Sequence, residues 1–220
     1  MPAGREKGRD AVKMAVFGAT GRTGRLVVER ALGDGHEVVV LVRDPGKLGA
    51  SHERLRVVEG NVLIPSKVEE AVAEADVVLS ALGHTKTSTA DVQTRGTRNI
   101  VAAMHKRGVR RLVSLTGAGV SDPGDRPKVV DRVFAGLLKV LQKDVLEDAE
   151  QHAEVIRGSG LDWTIVRAPR LTDGPETGEY RVGTVGQNSG TKISRADVAS
   201  FMLRGLRNDA YVSQAPMISY

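Results

Sequence analysis

Cysteine is missing from the sequence, and aromatic residues are scarce. Without cysteine among its 220 residues, the chain has no disulfide, thiolate metal site, iron–sulfur cluster or thiol nucleophile. Aromatic residues make up only 3%, too few for the stacking platforms that bind single-stranded nucleic acid. A chain without disulfides fits a reducing compartment, and we expect this protein to be cytoplasmic.

Long apolar runs are absent as well. Aliphatic runs such as residues 38–42 are far shorter than the about 20 residues of a membrane span. Residues 1–10 are polar and charged, which predicts no secretory signal. The net charge of +5 is small, and with so few aromatics it favours a small polyanionic ligand over nucleic acid. We therefore expect neither a membrane nor nucleic acid as partner.

Apolar strands alternate with helices along the chain, as β-branched runs and helical spacings show. The predicted strands are residues 14–17, 36–42, 55–58, 76–81, 111–115 and 163–167, and the predicted helices are residues 23–32, 65–74, 91–106, 129–157 and 194–206. Such alternation is typical of a parallel sheet with right-handed crossovers. We predict an α/β fold, a single Rossmann-type doubly wound parallel sheet with helices on both faces.

This domain is expected to cover residues 13–220, after a flexible tail of residues 1–12. Residues 171–191 are rich in Gly, Thr and Pro, which predicts an irregular lobe with short strand pieces. We expect the region of residues 117–192 to shape the substrate pocket.

The strongest motif is Gly-Ala-Thr-Gly-Arg-Thr-Gly at residues 18–24, between a predicted strand and a predicted helix. Its first glycine allows a tight turn, its second allows a diphosphate to approach the backbone, and its third allows the helix to pack closely. The free N–H groups at the helix start then bind the phosphates. The predicted diphosphate-binding residues are Gly18, Thr20, Gly21, Arg22, Thr23 and Gly24.

The end of the second strand indicates which dinucleotide binds. NAD-binding proteins place an acidic residue there to hold the ribose, whereas this chain has Arg43. A guanidinium can hold a 2′-phosphate by two hydrogen bonds, and Lys47 can add positive charge. Asp44 argues against this interpretation, although neighbouring side chains on a strand point to opposite faces. We predict NADP rather than NAD as the cofactor, and no metal.

Two further strand ends face the same crevice, because ligands bind at the carboxyl ends of parallel strands. Asn61 and Val62 follow the third strand, and Asn61 is a candidate hydrogen-bond partner of the adenine. Leu82 and Gly83 follow the fourth strand, where the glycine allows close approach to the cofactor. His84 lies next to them and is a candidate catalytic residue because histidine is a common general acid or base in enzymes.

Several segments together point to a known family. They are residues 17–24, Val-Leu-Val-Arg-Asp at 40–44 and Arg-Asn-Ile-Val-Ala-Ala-Met at 98–104, then Thr-Gly-Glu-Tyr at 177–180, Ile-Ser at 193–194 and Phe-Met-Leu-Arg at 201–204. With these motifs residues 13–220 resemble the biliverdin IXβ reductase/flavin reductase family of atypical short-chain dehydrogenase/reductases. The resemblance implies a monomeric NADPH-dependent reductase with an open pocket for flat conjugated acceptors, such as flavins, quinones or linear tetrapyrroles.

The chain departs from this family at two substrate positions. A family serine after the fifth strand is replaced by Gly117, beside Thr116, and a family histidine after the sixth strand is replaced by Arg170. We expect Thr116 to hydrogen-bond the nicotinamide or the substrate, and Arg170 to attract an anionic group of the substrate. These changes preserve the predicted cofactor site and leave the identity of the substrate open.

The Tyr-x-x-x-Lys pair of most short-chain dehydrogenases is missing. The only tyrosines are Tyr180, Tyr211 and Tyr220, none of which lies in the predicted helix of residues 129–157. A flavin can accept hydride without a protein acid, so the protein supplies mainly binding and orientation. His152, in the same predicted helix, has polar neighbours and is interpreted as part of a solvated face.

An alternative function remains open. NmrA-like proteins of the same fold keep the dinucleotide site, lack the tyrosine, and sense NADP(H) to regulate a partner without turnover. Either function depends on the glycine turn and Arg43.

Overall fold

A computed structural model of the protein describes residues 11–127, 143–206 and 209–220. The first half alternates strands and helices as the sequence predicts. Its elements are β1 (Lys13–Phe17), α1 (Arg22–Gly33), β2 (Glu37–Val42), a 3₁₀ turn (Pro45–Lys47), β3 (Leu55–Glu59), α2 (Pro65–Val72), β4 (Val77–Ser80), α3 (Val92–Arg107) and β5 (Arg111–Gly117).

The second half has shorter strands and two long helices. Its described elements are α4 (Lys143–Arg157), β6 (Asp162–Ala168), β7 (Arg170–Thr172), β8 (Arg181–Gly183), β9 (Lys192–Ser194), α5 (Arg195–Arg204), a second 3₁₀ turn (Asp209–Tyr211) and β10 (Met217–Ser219). The part of the predicted fourth helix at residues 129–142 and the first ten residues of the predicted tail lie outside the described residues.

Eight strands form the main sheet in the order β3-β2-β1-β4-β5-β6-β10-β8. The pairings are parallel except for that of β10 with β8, which is antiparallel. The strand order reverses between β1 and β4, so a crevice opens at their carboxyl ends. The predicted doubly wound fold is confirmed, with an antiparallel edge strand that the sequence pattern did not indicate.

Alternating side chains of β1 show how the sheet is covered on both faces. Met14 and Val16 pack into the core beneath α1 and α5, whereas Ala15 and Phe17 pack into the core beneath α2, α3 and α4. All four are buried, because a strand between two helical layers must be apolar on both sides. Among the described residues, no helix combines the length and the hydropathy needed to cross a membrane.

The strand β5 is longer than its apolar run predicts. It continues through Thr116 and Gly117, which pair with Arg167 and Ala168 of β6. Thr116 therefore lies within a strand and not in the loop after it, and its side chain is fixed by the sheet.

Candidate active site

Two glycines bring the end of β1, the end of β4 and the start of α1 into direct contact. Gly18 has φ +77°, and a Cβ atom there would lie 2.3 Å from the carbonyl oxygen of Ala81. At Gly24 a Cβ atom would lie 2.1 Å from the carbonyl oxygen of Gly18. Both distances are far below van der Waals contact, so only glycine permits this close packing.

The start of α1 is built to meet an anion. Gly21 is its N-cap, makes no side-chain cap, and no acidic residue occupies the first turn. The first-turn N–H groups and the positive end of the helix dipole therefore have no anionic partner from the cap. Gly21, Arg22 and Thr23 line the main cleft. A diphosphate fits this arrangement, since backbone N–H groups can bind its oxygens.

The cleft has a volume of about 470 Å³ and lies at the carboxyl ends of β1, β4, β5 and β6. It brings together many of the residues that the sequence predicts. The predicted site residues that line it are Gly21, Arg22, Thr23, Gly24, Leu82, Gly83, His84 and Thr116. Gly18 supports it through the turn contact, while Thr20 and the buried Val62 are not among its lining residues.

Thr116 forms a polar point on the floor of the cleft. Its side chain is 6% exposed, and its hydroxyl has no hydrogen-bond partner among the described residues. A buried hydroxyl without a partner destabilises the fold by about 1–3 kcal/mol. Thr116 therefore offers an unused donor and acceptor to a ligand. Gly117, beside it, also lines the cleft.

His84 stands at the cleft with a carboxylate behind it. Its Nε2 lies 2.9 Å from Asp148 Oδ2, although the two groups are not aligned as a hydrogen bond. Asp148, which is buried, accepts hydrogen bonds of 2.9 Å from the backbone N–H groups of Gln93 and Thr94. A carboxylate of α4 thus caps the start of α3 and also faces the imidazole.

The interpretation of His152 as a solvated residue is wrong. Its side chain is fully buried, with Nδ1 2.7 Å from the hydroxyl of Thr97 and Nε2 3.2 Å from that of Ser114. Burial lowers the pKa of His152 to about 4, against the opposing effect of Asp148. Its sequence neighbours are polar because they occupy the outer face of α4. The helical spacing of His152 with Ala149, Ala153 and Ile156, which form the buried face of α4, would have indicated its burial.

A second, shallower pocket lies beside the main cleft at the ends of β2 and β3. Its lining residues are Arg43, Glu59, Gly60, Asn61 and Lys67. Arg43 is exposed and donates to the hydroxyls of Thr85 and Thr87 at 3.3 and 3.4 Å. The pocket carries two cations and one carboxylate, so a net positive charge remains. Asn61 Oδ1 accepts from the N–H of Leu63 at 3.0 Å.

Asp44 and Lys47 pair with each other and do not line this pocket. The Asp44 carboxylate accepts from the N–H of Gly46 at 3.1 Å and lies 3.1 Å from Lys47 Nζ. Both residues serve the 3₁₀ turn after β2. The charge of Asp44, next to Arg43 in the sequence, is therefore partly offset by Lys47.

Arg170 is separated from the lining residues of the cleft. Pro169 and Leu171 line the cleft, whereas Arg170 is exposed and is not a lining residue. Alternation along the extended chain accounts for this, because neighbouring side chains point in opposite directions.

Several residues of the cleft were not recognised from the sequence. Arg195 lines the cleft and is buried, yet its segment was interpreted only as a helix start. That interpretation is confirmed, because Ser194 Oγ accepts from the N–H of Asp197 at 3.0 Å. The apolar walls come from Leu115, Val120, Val145, Leu146 and Ala149.

The three tyrosines lie away from the lining residues of the cleft. Tyr180 accepts from Arg204 at 2.8 Å, and Tyr220 donates to Asp197 at 2.6 Å. Tyr211 packs against Phe201. These contacts give the tyrosines structural roles around α5, so none occupies the position of a catalytic acid.

Comparison with known proteins agrees with this geometry. A family model described as NAD(P)H-binding matches residues 18–209. The photosystem II assembly factor Ycf39 of Synechocystis is 25% identical over 212 residues, covering 90% of this chain and 60% of that protein. The chain thus spans about three-fifths of this curated relative.

Two solved structures share the fold. A short-chain dehydrogenase/reductase of Veillonella parvula in complex with NADP superposes with a TM-score of 0.76 at 22% identity, covering 95% of this chain and 94% of that one. The anaerobilin reductase ChuY of Escherichia coli O157:H7 gives 0.77 at 21% identity, covering 94% and 96%. These matches confirm the Rossmann fold.

Proposed function

Because the chain belongs to the NAD(P)H-binding family, we propose that it is an NADPH-dependent reductase of a flat conjugated acceptor, a flavin or a related quinone or tetrapyrrole. One observation carries the proposal: the uncapped start of α1 and the unpartnered hydroxyl of Thr116 share a single cleft with apolar walls. An anaerobilin reductase has the same fold, so this fold supports reduction.

The residues that would hold NADP come from the two adjoining pockets. The N–H groups at the start of α1 would bind the diphosphate, and Arg43 with Lys67 would attract the additional phosphate, against the opposing charge of Glu59. Asn61 lines the same pocket and is the candidate adenine partner. When bound, the nicotinamide supplies a hydride.

The chain itself binds and orients the acceptor. Leu115, Val120 and Leu146 line the cleft with apolar surface, which would accept a flat ring and exclude water. Val145 is 38% exposed at the same cleft and extends this apolar surface outward. The Thr116 hydroxyl can hydrogen-bond a carbonyl or amide group that enters the cleft.

His84 is the proposed proton source for the reduced acceptor. It lies at the cleft with the carboxylate of Asp148 2.9 Å from Nε2, and a rotation of the ring would align the two groups. Asp148 can then orient the imidazole, which would donate a proton to the reduced acceptor. Arg170 is assigned no role in the site, because it is exposed and does not line the cleft.

The test measures NADPH oxidation with FMN, FAD, a quinone or biliverdin as acceptor. The loss of reduced-nicotinamide absorbance reports the rate. Thr116→Val should lower kcat about tenfold while NADPH binding persists, since one hydrogen bond in the transition state is lost. Ser80→Ala is the matched control. Ser80 also has a buried hydroxyl without a partner in the described chain, but it does not line the cleft.

A second candidate is a dinucleotide-binding protein that regulates or assembles a partner without turnover. The similarity to a protein named as an assembly factor favours it. NADPH binding by calorimetry, together with no oxidation across the acceptor panel, would support this candidate and contradict the reductase. Absence of binding by either nicotinamide nucleotide would contradict both.

A further inference from the structure

One carboxylate joins two arginines at the phosphate end of the cleft. Asp173 Oδ1 accepts from Arg195 Nη1 at 2.6 Å, and Asp173 Oδ2 accepts from Arg22 Nη1 at 3.3 Å. Arg22 is the first residue of α1 and Arg195 the first of α5. Both arginines line the cleft with Gly21. The bridge therefore lies beside the N–H groups at which a diphosphate would bind.

The two sides of this bridge differ in exposure. The Arg195 side chain is 9% exposed, whereas that of Asp173 is 66% exposed. A buried guanidinium needs an anionic partner, because an unpaired charge inside a protein is strongly unfavourable. Asp173 is the only carboxylate in ion-pair contact with Arg195 among the described residues. It belongs to the exposed segment of residues 173–179, so its carboxylate can move into water at little cost.

Carboxylate and phosphate are interchangeable partners of a guanidinium, since both offer oxygen acceptors to its fork of N–H groups. Two guanidinium groups against one carboxylate leave one positive charge, and the start of α1 adds a partial positive charge. A phosphate that replaces Asp173 would carry more negative charge to the same place. The exchange would keep Arg195 paired throughout.

We propose that Arg195 is a further ligand of the dinucleotide phosphates, and that Asp173 competes with them for Arg195 and Arg22. This inference rests on the proposed nucleotide site and adds a residue and a regulatory contact to it. The nucleotide must displace Asp173, so its binding free energy is reduced by the free energy of the ion pairs that Asp173 makes with Arg195 and Arg22. Asp173 pairs with the arginines again when the nucleotide leaves.

Calorimetric titration with inorganic diphosphate and with NADPH tests the competition. Asp173→Asn should tighten binding of both about fivefold, because it removes the competing charge of a largely exposed ion pair. Arg195→Gln should weaken both at least about tenfold, as expected for loss of a charge-assisted hydrogen bond. In the double variant, the gain from Asp173→Asn should shrink because the two residues act on one another.

Controls separate this competition from a structural role. Arg204→Gln, at the other end of α5 and paired with Tyr180, should leave both affinities unchanged. Arg195→Lys keeps the charge and should bind both ligands more tightly than Arg195→Gln, which tests the role of Arg195 even where the glutamine variant folds poorly. Melting temperatures of all variants show whether a loss of affinity is a loss of folding.

Unchanged or weaker diphosphate binding by folded Asp173→Asn would overturn the inference. If the melting temperature of this variant is also lowered, the ion pairs of Asp173 stabilise the fold and do not regulate binding. Such a result leaves the proposed function intact if the wild-type protein still oxidises NADPH. If the wild-type protein binds no nucleotide, the proposed function fails first. Tightening of diphosphate by Asp173→Asn supports the competition whatever the acceptor is.

Discussion

The strands on the two sides of the cleft are held in different ways. The helices and sheet around β1 and β2 are packed with aliphatic side chains such as Val27, Val40 and Leu41. Around β5 and β6 the interior also contains His152, Arg167 and other buried polar groups. The region around β1 and β2, here called the nucleotide side, depends on apolar packing and glycine spacing. The substrate side depends on hydrogen-bond networks that must be fully paired, since an unpaired buried polar group is costly.

The difference separates binding from stability. On the nucleotide side the functional groups are backbone N–H groups and exposed Arg43, so changing Arg43 should alter affinity with little effect on folding. On the substrate side, polar groups such as His152 and Arg167 are buried and hydrogen-bonded, so changing them should first alter folding. Four principal substitutions, three of them with a matched control, test this contrast.

Arg167→Met should have the largest effect. Arg167 is fully buried and donates to the carbonyls of Ala215 and Val120 and, at 2.6 and 2.9 Å, to both oxygens of Asp125. Its loss leaves the Asp125 carboxylate without its cation and should lower the free energy of unfolding by about 3–5 kcal/mol, measured by denaturant titration. Arg110→Gln is the control.

Arg110 forms an exposed two-point pair with Asp162, with both distances 3.0 Å. Its substitution should leave the denaturation midpoint nearly unchanged, because exposed ion pairs contribute little. Equal losses for the two arginines would remove the contrast between buried and exposed charge.

His152→Gln should abolish part of the pH dependence of folding. The pKa of His152 is lowered by burial from 6.5 to about 4, so below pH 6.5 the unfolded chain takes up a proton that the folded chain does not. The contribution of neutral His152 to the free energy of unfolding is fully present above pH 6.5. It is lost as the pH falls toward 4, by about 3 kcal/mol in total.

Denaturant titrations from pH 7 to 4 measure this loss. The glutamine variant should show a smaller decline, since an amide does not titrate in this range. His105→Gln, at an exposed histidine that contacts the Ser159 carbonyl, is the control and should keep the full decline. If both variants behave like the wild-type protein, His152 does not control acid stability.

Arg43→Asp should change nucleotide selectivity without changing stability. If Arg43 holds the 2′-phosphate, the substitution should weaken NADPH by about 10- to 100-fold, as expected for a lost charge-assisted hydrogen bond, and weaken NADH far less. Binding isotherms for the two nucleotides measure the ratio. Equal weakening of both would contradict the assignment of NADP, and a lowered melting temperature would contradict the independence of binding and folding on this side.

Gly24→Ala and Gly33→Ala form a matched pair within α1. A Cβ atom at Gly24 meets the backbone of Gly18 at 2.1 Å, whereas at Gly33 nothing lies within 4 Å. The first substitution should destabilise the protein by about 1–3 kcal/mol and weaken nucleotide binding by displacing the turn.

The second substitution should be neutral or stabilising by up to about 1 kcal/mol, with binding unchanged. Thermal melts and calorimetry compare the two. Loss of nucleotide binding in Gly33→Ala would show that binding is sensitive to any change in α1, and not specifically to the close packing at Gly24.

The strands and helices of the first half were predicted well because their signals are contiguous in the sequence. β1, β2 and β4 are short apolar runs, and the helices between the first five strands follow helical spacing with Gly or Pro at a boundary. The antiparallel pairing of β8 with β10 was not predicted, because these strands have three residues each. Three residues are too few to show a period, so only pairing with distant strands defines them.

The polar groups of the substrate side escaped sequence reasoning for a related reason. Arg170 was predicted at the site but is exposed and does not line the cleft, whereas Arg195 lines the cleft and was not singled out. Neighbouring residues on an extended segment point in opposite directions, so a shift of one position changes which residue reaches the cleft. His152 was misplaced because charged sequence neighbours concealed a buried helix face.

By itself, the sequence determined the parallel α/β sheet, the glycine turn at its switch point and the absence of a catalytic tyrosine–lysine pair, because each depends on residue types at short, fixed spacings. Tertiary structure decided which polar groups meet. Thr94 with Asp148, Thr97 with His152 and Arg195 with Asp173 lie 54, 55 and 22 residues apart. Their pairing depends on how α3, α4 and α5 pack on the sheet, and no local pattern encodes that packing.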